Sequence, residues 1–372
     1  MLQFAIPCLL GLESIVGDEV KKLGLADVRV ENGRVLCRGE ERDLARLNIN
    51  LRCGARVLLV LASFRATDFE TLFQGTRAVR WEDWIPREGE FPVTGYSINS
   101  TLHSVPACQS IVKKAVVERL GAAYGLQTLP ETGKRYQIRF SIMKDEVMLC
   151  LDASGEGLYK RGYRAHGVAA PLKETLAAAM VKLSHYNGRD PFCDPFCGSG
   201  TIAIEAALIA RNRAPGLNRS FAAQHWASLD KMLWLDAADE AMDNEFHGKY
   251  EIWGGDIDPD AVELSRHNAE LAEVDDIVKF EVDDATRFHW GGLYGRIVTN
   301  PPYGERLLER EEAGELYKAF GKAMDKLPDT WRVYVLSSHP DFERCYGRFA
   351  DKKRKLYNGM LKCDLFMYGK RL

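Results

Sequence analysis

The sequence lacks the features that would place it in a membrane, outside the cell or around a metal. No run of about eighteen apolar residues occurs, so a spanning helix is not expected. The opening stretch, MLQFAIPCLLGLESIVGDEV, has no basic residue ahead of its apolar part and no clear small-residue cleavage pattern. Glu13, Asp18 and Glu19 interrupt it, and it reads as a first strand and helix rather than an export signal. The nine cysteines are odd in number and scattered, with no Cys-x-x-Cys pair. Buried free thiols in a reducing cytoplasm are expected, not a disulfide framework. Cys193 and Cys197 stand four apart, but no matching Cys or His pair follows, so no metal is assigned. A strong positive charge is also missing. The net charge is −3, with 23 Lys/Arg against 20 Asp/Glu in residues 1–165 and 27 against 33 in residues 166–372. That weakly basic front half is compatible with phosphate contact without singling it out. Internal repeats, low-complexity tracts and a Ser/His/Asp set are absent as well.

What is present is a soluble composition, 46% hydrophobic and 28% charged, over 372 residues, enough for two or three domains. The front half mixes patterns. Residues 2–5 and 56–64 read as strands, and residues 28–30 and 34–38 as a hairpin about Asn32-Gly33. Helical patterns fall at 12–22, 40–47, 69–78 and 104–121. Alternating strands fall at 91–98, 137–142 and 146–152, which together suggest an α+β unit. Residues 156–170, rich in glycine and basic residues, break both periodicities and are expected to form a linker. Pro171 is expected to open a helix over 172–186. Beyond it, strands at 191–194, 251–255, 278–281, 296–299 and 332–337 alternate with helices at 201–211, 261–272 and 312–326. That order predicts a mostly parallel, doubly wound α/β sheet. Residues 212–248 read as an insertion with some helix. Residues 355–357 and 361–368 read as an antiparallel hairpin about Asn358-Gly359.

Four strand ends carry chemistry. Asp194-Pro195-Phe196-Cys197-Gly198-Ser199-Gly200-Thr201 joins a strand to a helix. Its two glycines let backbone approach a ligand at the carboxyl end of the sheet. No lysine follows them, so a nucleotide phosphate loop is disfavoured. Asp256, in Gly254-Gly255-Asp256-Ile257-Asp258-Pro259, is placed to accept two ribose hydroxyls, while Asp258 caps the next helix. Asp283-Asp284-Ala285 can accept an adenine amino group, although surface turns also use aspartate freely. Asn300-Pro301-Pro302-Tyr303 follows the fourth strand. Two prolines fix the backbone and remove donors, Asn300 adds a carbonyl acceptor, and Tyr303 adds a flat stacking face. Such a site receives an amino group on a planar ring.

These motifs, in this order, resemble class I methyltransferases that use S-adenosylmethionine, and the Asn-Pro-Pro-Tyr element resembles the branch that methylates amines. Residues 67–153, the stretch GLYKRGYR and the helix PLKETLAAAMVKL resemble the THUMP-domain RNA guanine-N2 methyltransferases, most closely a bacterial branch acting on 23S ribosomal RNA. The resemblance implies a Rossmann-like methyltransferase domain with a seven-stranded sheet over 171–372. Ahead of it come a ferredoxin-like region at 1–66, a THUMP domain at 67–155 and the linker 156–170. It implies S-adenosylmethionine as cofactor, held by Thr175, Asp194, Phe196, Gly198, Ser199, Gly200, Thr201, Asp256, Ile257, Asp284 and Ala285. Asn300, Pro301, Pro302 and Tyr303 would hold and stack the target base. RNA contacts are expected at Lys160, Arg161, Tyr163 and Arg164, and at Lys352 and Lys353, whose basic run is equally an edge strand blunted by charge. The expected partner is RNA, ribosomal ahead of transfer, with no membrane and no metal, in the cytoplasm. A transfer-RNA enzyme, a DNA adenine enzyme and a non-catalytic assembly factor are the alternatives.

Overall fold

The computed structural model describes residues 1–164, 172–303 and 307–369. The chain divides into two compact units. One comprises Met1–Cys8, Gly17–Leu158 and Ser220–Glu240; the other comprises Leu9–Val16, Tyr159–Arg219 and Ala241–Leu372.

The first unit is built on one seven-stranded sheet. Its strands are β1 (Leu2–Pro7), β2 (Ala26–Glu31), β3 (Arg34–Gly39), β4 (Leu58–Arg65), β5 (Val93–Ile98), β6 (Ile138–Met143) and β7 (Glu146–Asp152), in the order β2-β3-β1-β4-β7-β6-β5. Gly33 takes φ 75 in the expected Asn-Gly turn, where a side chain would be strained. β4 pairs with both β1 and β7, so strands from the two expected front regions share one sheet. The helices are α1 (Glu13–Lys22), α2 (Glu41–Asn50), α3 (Phe69–Arg77) and α4 (Val105–Tyr124), the last ending on Gly125 in a left-handed cap. Trp81, Phe91, Tyr136 and Phe140 are fully buried in this unit. Part of the expected insertion belongs here too, since Trp226 stacks on Tyr136 with ring centroids 5.8 Å apart.

The second unit carries the alternating pattern. After α5 (Glu174–Leu183) come β8 (Phe192–Asp194), α6 (Thr201–Ala210), then α7 (Met232–Asp243), most of which belongs to the first unit, and β9 (Ile252–Asp256), α8 (Pro259–Leu271), β10 (Val278–Val282), β11 (Arg296–Thr299), α9 (Leu307–Met324), β12 (Arg332–Ser337), α10 (Phe342–Tyr346), β13 (Lys352–Asn358) and β14 (Leu361–Tyr368). The sheet order is β10-β9-β8-β11-β12-β14-β13, parallel through β12, with β14 antiparallel to both its neighbours. β8 is therefore the switch point, and a ligand crevice opens at the strands' carboxyl ends. The expected helix start at Pro171 lies outside the described residues. α9 begins earlier than apolar periodicity suggests, because Glu309, Arg310, Glu311 and Glu312 carry no apolar signal. β13 likewise takes in the basic run Lys352-Lys353-Arg354-Lys355, charge placed on an edge strand. No helix among the described residues is long and apolar enough to cross a membrane.

Candidate active site

The glycine-rich turn after β8 is shaped by φ and by crowding. Gly198 and Gly200 sit at φ 52 and 80. A Cβ on Gly200 would come within 2.9 Å of the Phe280 ring and 3.0 Å of Ser265 Cβ, so only glycine fits there without displacement. The loop is then tied down. Asn268 donates to the Ser199 carbonyl at 2.9 Å, and Ser265 donates to the Gly198 carbonyl at 2.7 Å. The Gly198 N–H donates to Asp256 Oδ2 at 2.9 Å. Asp256, at the end of β9, also accepts from the Asp258 N–H at 3.0 Å, while Asp258 caps α8 as expected. Asp284 accepts from the N–H and the hydroxyl of Thr286 at 2.9 and 2.7 Å. Those hydrogen bonds hold its carboxyl below the ordinary carboxylate range.

Asn300 follows β11 directly. The Tyr303 hydroxyl donates to Asn300 Oδ1, and the Tyr317 hydroxyl donates to the Pro302 carbonyl at 2.5 Å. Asn300 and the Pro302 carbonyl are thus each held by a phenol, and burial pushes each phenol's pKa up. The Asn300 carbonyl carries two lone pairs, so it can accept from Tyr303 and from a substrate amine at once.

One cavity of about 640 Å³ brings these strand ends together. Phe196, Gly198, Asp256, Ile257, Asp284, Ala285, Asn300, Pro301, Pro302 and Tyr303 all line it. It also takes in Lys173, Pro195, Leu316, Asn358, Gly359 and Leu361, which the sequence did not mark. Asp194, Ser199, Gly200 and Thr201 belong to the turn without lining the cavity, and Thr175, buried in the first turn of α5, does not line it either. His339 is no base here. Its Nδ1 accepts from the Asp341 N–H at 3.1 Å, and its Nε2 lies 3.3 Å from the Arg310 carbonyl.

Asp194 lies beneath the glycine turn and is fully buried. Its Oδ1 accepts from the Thr299 hydroxyl at 2.6 Å and the Phe196 N–H at 3.3 Å, while its Oδ2 is buried without a partner. Burial raises its carboxyl from 3.8 to about 7. An ammonium group would complete this orphaned oxygen, and the α-ammonium of S-adenosylmethionine, the methyl donor of class I methyltransferases, is such a group. Asp256 and Asp284 line the cavity and supply acceptors for a ribose and an adenine amine, and Asp194 sits behind its wall at the foot of the same glycine turn, so the residues present fit this cofactor. Between about 3.8 and 7 the folded carboxyl holds a proton that an unfolded chain has lost, so burying it costs stability progressively as pH rises through that window. The charged form is the one that binds an ammonium. Cofactor affinity is therefore expected to rise with pH through about 7 and then level off, and Asp194→Asn to flatten the profile. Calorimetric titrations from about pH 5.5 to 8 check this; a flat wild-type curve would reject the pairing.

The expected RNA contacts need correction. Arg161 is 3% exposed and Tyr163 2%, so neither can reach RNA. Arg161 donates to Glu205 Oε1 at 3.2 Å, and the Tyr163 hydroxyl donates to the same oxygen at 3.1 Å. Arg164 is also turned inward, onto the Thr201 hydroxyl at 2.6 Å and toward Glu174 at 3.4 Å. The missed signal is Glu205 itself. A single acid inside the apolar helix TIAIEAALIA is fully buried and requires a cation. Lys353 pairs with Glu343 at 2.7 Å, whereas Lys160 and Lys352 are exposed.

Comparison with known proteins agrees with the geometry. The RMKL-like methyltransferase domain family matches residues 161–366, the RlmL ferredoxin-like domain residues 3–58, and the THUMP domain residues 66–152. The chain belongs to the RMKL-like methyltransferase family and is a THUMP-containing class I methyltransferase. It is 45% identical to YpsC of Bacillus subtilis (strain 168), whose name calls it an RNA methyltransferase, across 98% of this chain and 94% of that one. A structure from Listeria monocytogenes str. 4b F2365, described as a predicted N6-adenine-specific DNA methylase, is 46% identical with a TM-score of 0.94, covering 99% of this chain and 96% of that one. SMU.472, described as a methyltransferase complexed with SAH, is 41% identical with a TM-score of 0.92, covering 100% of this chain and 99% of that one.

Proposed function

We propose that the chain methylates the exocyclic N2 amine of a guanosine in RNA, and that the RNA is 23S ribosomal RNA. The observation that carries this reading is the Asn300 carbonyl, oriented by Tyr303, in the same cavity as Asp256 and Asp284. Methyl transfer to an amine needs both components of that pair, an amine grip and a cofactor cradle. The choice of RNA rests on the THUMP domain and on the name of the relative YpsC.

The cofactor supplies a methyl group made electrophilic by its sulfonium. The protein supplies geometry. Asn300 Oδ1 and the Pro301 carbonyl accept the two amine hydrogens, which turns the nitrogen lone pair toward the methyl carbon. Those two oxygen dipoles would face the positive charge that the nitrogen takes on during transfer. Fixing both reactants in one cavity supplies much of the remaining acceleration. The methylated nitrogen then loses its proton readily, so no strong base is needed before transfer.

Mass spectrometry of nucleosides from separated 23S ribosomal and transfer RNA of a deletion strain tests the reading. Loss of N2-methylguanosine from 23S RNA is expected. Loss from transfer RNA alone would overturn the ribosomal choice, and loss of a methylated adenine in place of N2-methylguanosine would overturn the guanine choice.

A further inference from the structure

We propose that Met360 is a wedge that enters the base stack when the target guanosine swings into the cavity. The proposal rests on the guanine-N2 reading above. Gly359 and Met360 form the turn between β13 and β14, with Asn358 paired to Leu361 across it and Gly359 at φ 64. Asn358, Gly359 and Leu361 all line the cavity that holds Asn300 and Tyr303. Met360 does not line it; its side chain stands free at 102% exposure. The three residues around it point the turn at the site, and Met360 occupies the rim.

An apolar side chain in that position does nothing for the fold. Burying a methionine side chain contributes roughly 1.5–3 kcal/mol, and here none of it is realised. Gly359 carries the positive φ of this two-residue turn, so the second position makes no backbone demand that selects methionine. A partner surface does. A guanine must leave its stack to reach Asn300, and it leaves a gap between flat apolar faces. Proteins that open base steps fill such gaps with apolar wedges, methionine among them. Its unbranched thioether adapts to whichever bases flank the gap. Met360 is thus a positioning residue, acting on the stack rather than on the reacting atoms.

The test uses the full chain and a short RNA carrying the target guanosine, located by mass spectrometry of RNase fragments of the RNA that loses N2-methylguanosine in the deletion strain. That guanosine is either paired with cytidine or placed opposite an abasic site, where opening is already cheap. Met360→Ser is expected to lower methyl transfer to the paired target about tenfold, equivalent to ~1.4 kcal/mol, well within the few kcal/mol of an unstacked step. On the abasic-facing target it should stay within about twofold of wild type. Met360→Leu should keep both rates near wild type, because it restores an apolar wedge. Unchanged transfer by Met360→Ser on the paired target, or an equal loss on both targets, would overturn the wedge. A wild-type enzyme that methylates neither RNA would overturn the guanine reading, and the wedge with it.

Discussion

Replacing Asn300 by alanine is expected to reduce methyl transfer about 10²–10³-fold, the range seen when one preorganised oxygen-stabilising partner is removed from an active site. Cofactor affinity should stay within about twofold, since Asp256, Asp284 and Asp194 are untouched. Those two results together distinguish an amine grip from a pocket wall. Tyr303 sharpens the case. Its hydroxyl donates to Asn300 Oδ1, so the ring offers a stacking face and the hydroxyl orients the acceptor. Tyr303→Phe keeps the face and loses the orientation. It should fall between wild type and Asn300→Ala, about tenfold down, in line with the loss of one hydrogen bond of ~1–1.5 kcal/mol. Single-turnover rates at saturating cofactor measure both variants. Normal transfer by Asn300→Ala would remove this residue from the mechanism, and a Tyr303→Phe variant as impaired as Asn300→Ala would assign catalysis to the hydroxyl.

The methyltransferase unit was largely legible because its information is local. Strands 296–299 and 332–337 are where alternation placed them, and the turns after β8 and β11 are read directly from DPFCGSG and NPPY. Each carries its constraint within a few residues, as glycine at positive φ or as paired prolines. What was not legible arrives by tertiary contact. Asn358 belongs to a hairpin that any Asn-Gly pair announces, but its place beside Asn300 follows from β14 inserting between β12 and β13. Lys173, the residue before α5, reaches the cavity although nothing in the segment PLKETLAAAMVKL singles out its lysine for the site. In the front half, the pairing of β4 with both β1 and β7 merges strands that alternation can identify but cannot pair. Exposure was the other blind spot. Lysines, arginines and a tyrosine between glycines describe an RNA-binding linker and a buried ion-pair network equally well. Only Glu205, isolated in an apolar helix, separates the two.

That network carries the second large effect. Glu205→Ala is expected to destabilise the protein by about 3–5 kcal/mol, because it removes the buried carboxylate that faces the Arg161 guanidinium and the Tyr163 hydroxyl. Arg161 and Glu205 are 2% and 0% exposed at their side chains, so water cannot take over the lost contact. The Tyr163 hydroxyl loses its acceptor in the same step, which adds to the penalty. Replacing both charges by apolar residues of similar size, Arg161→Met with Glu205→Leu, should recover most of the loss, since a buried pair contributes little more than the desolvation it offsets. Urea denaturation of the single and double variants measures this. The contrast with an RNA-binding role is direct. An arginine serving RNA would leave stability unchanged when its partner acid is removed, and its own replacement would weaken RNA binding with a reduced salt dependence. A stable Glu205→Ala variant would therefore return Arg161 to the RNA-contact list. Strong destabilisation that the double variant reverses makes GLYKRGYR an interior strap whose Arg164 reaches Thr201 at the start of α6, immediately behind the glycine turn of the cofactor site.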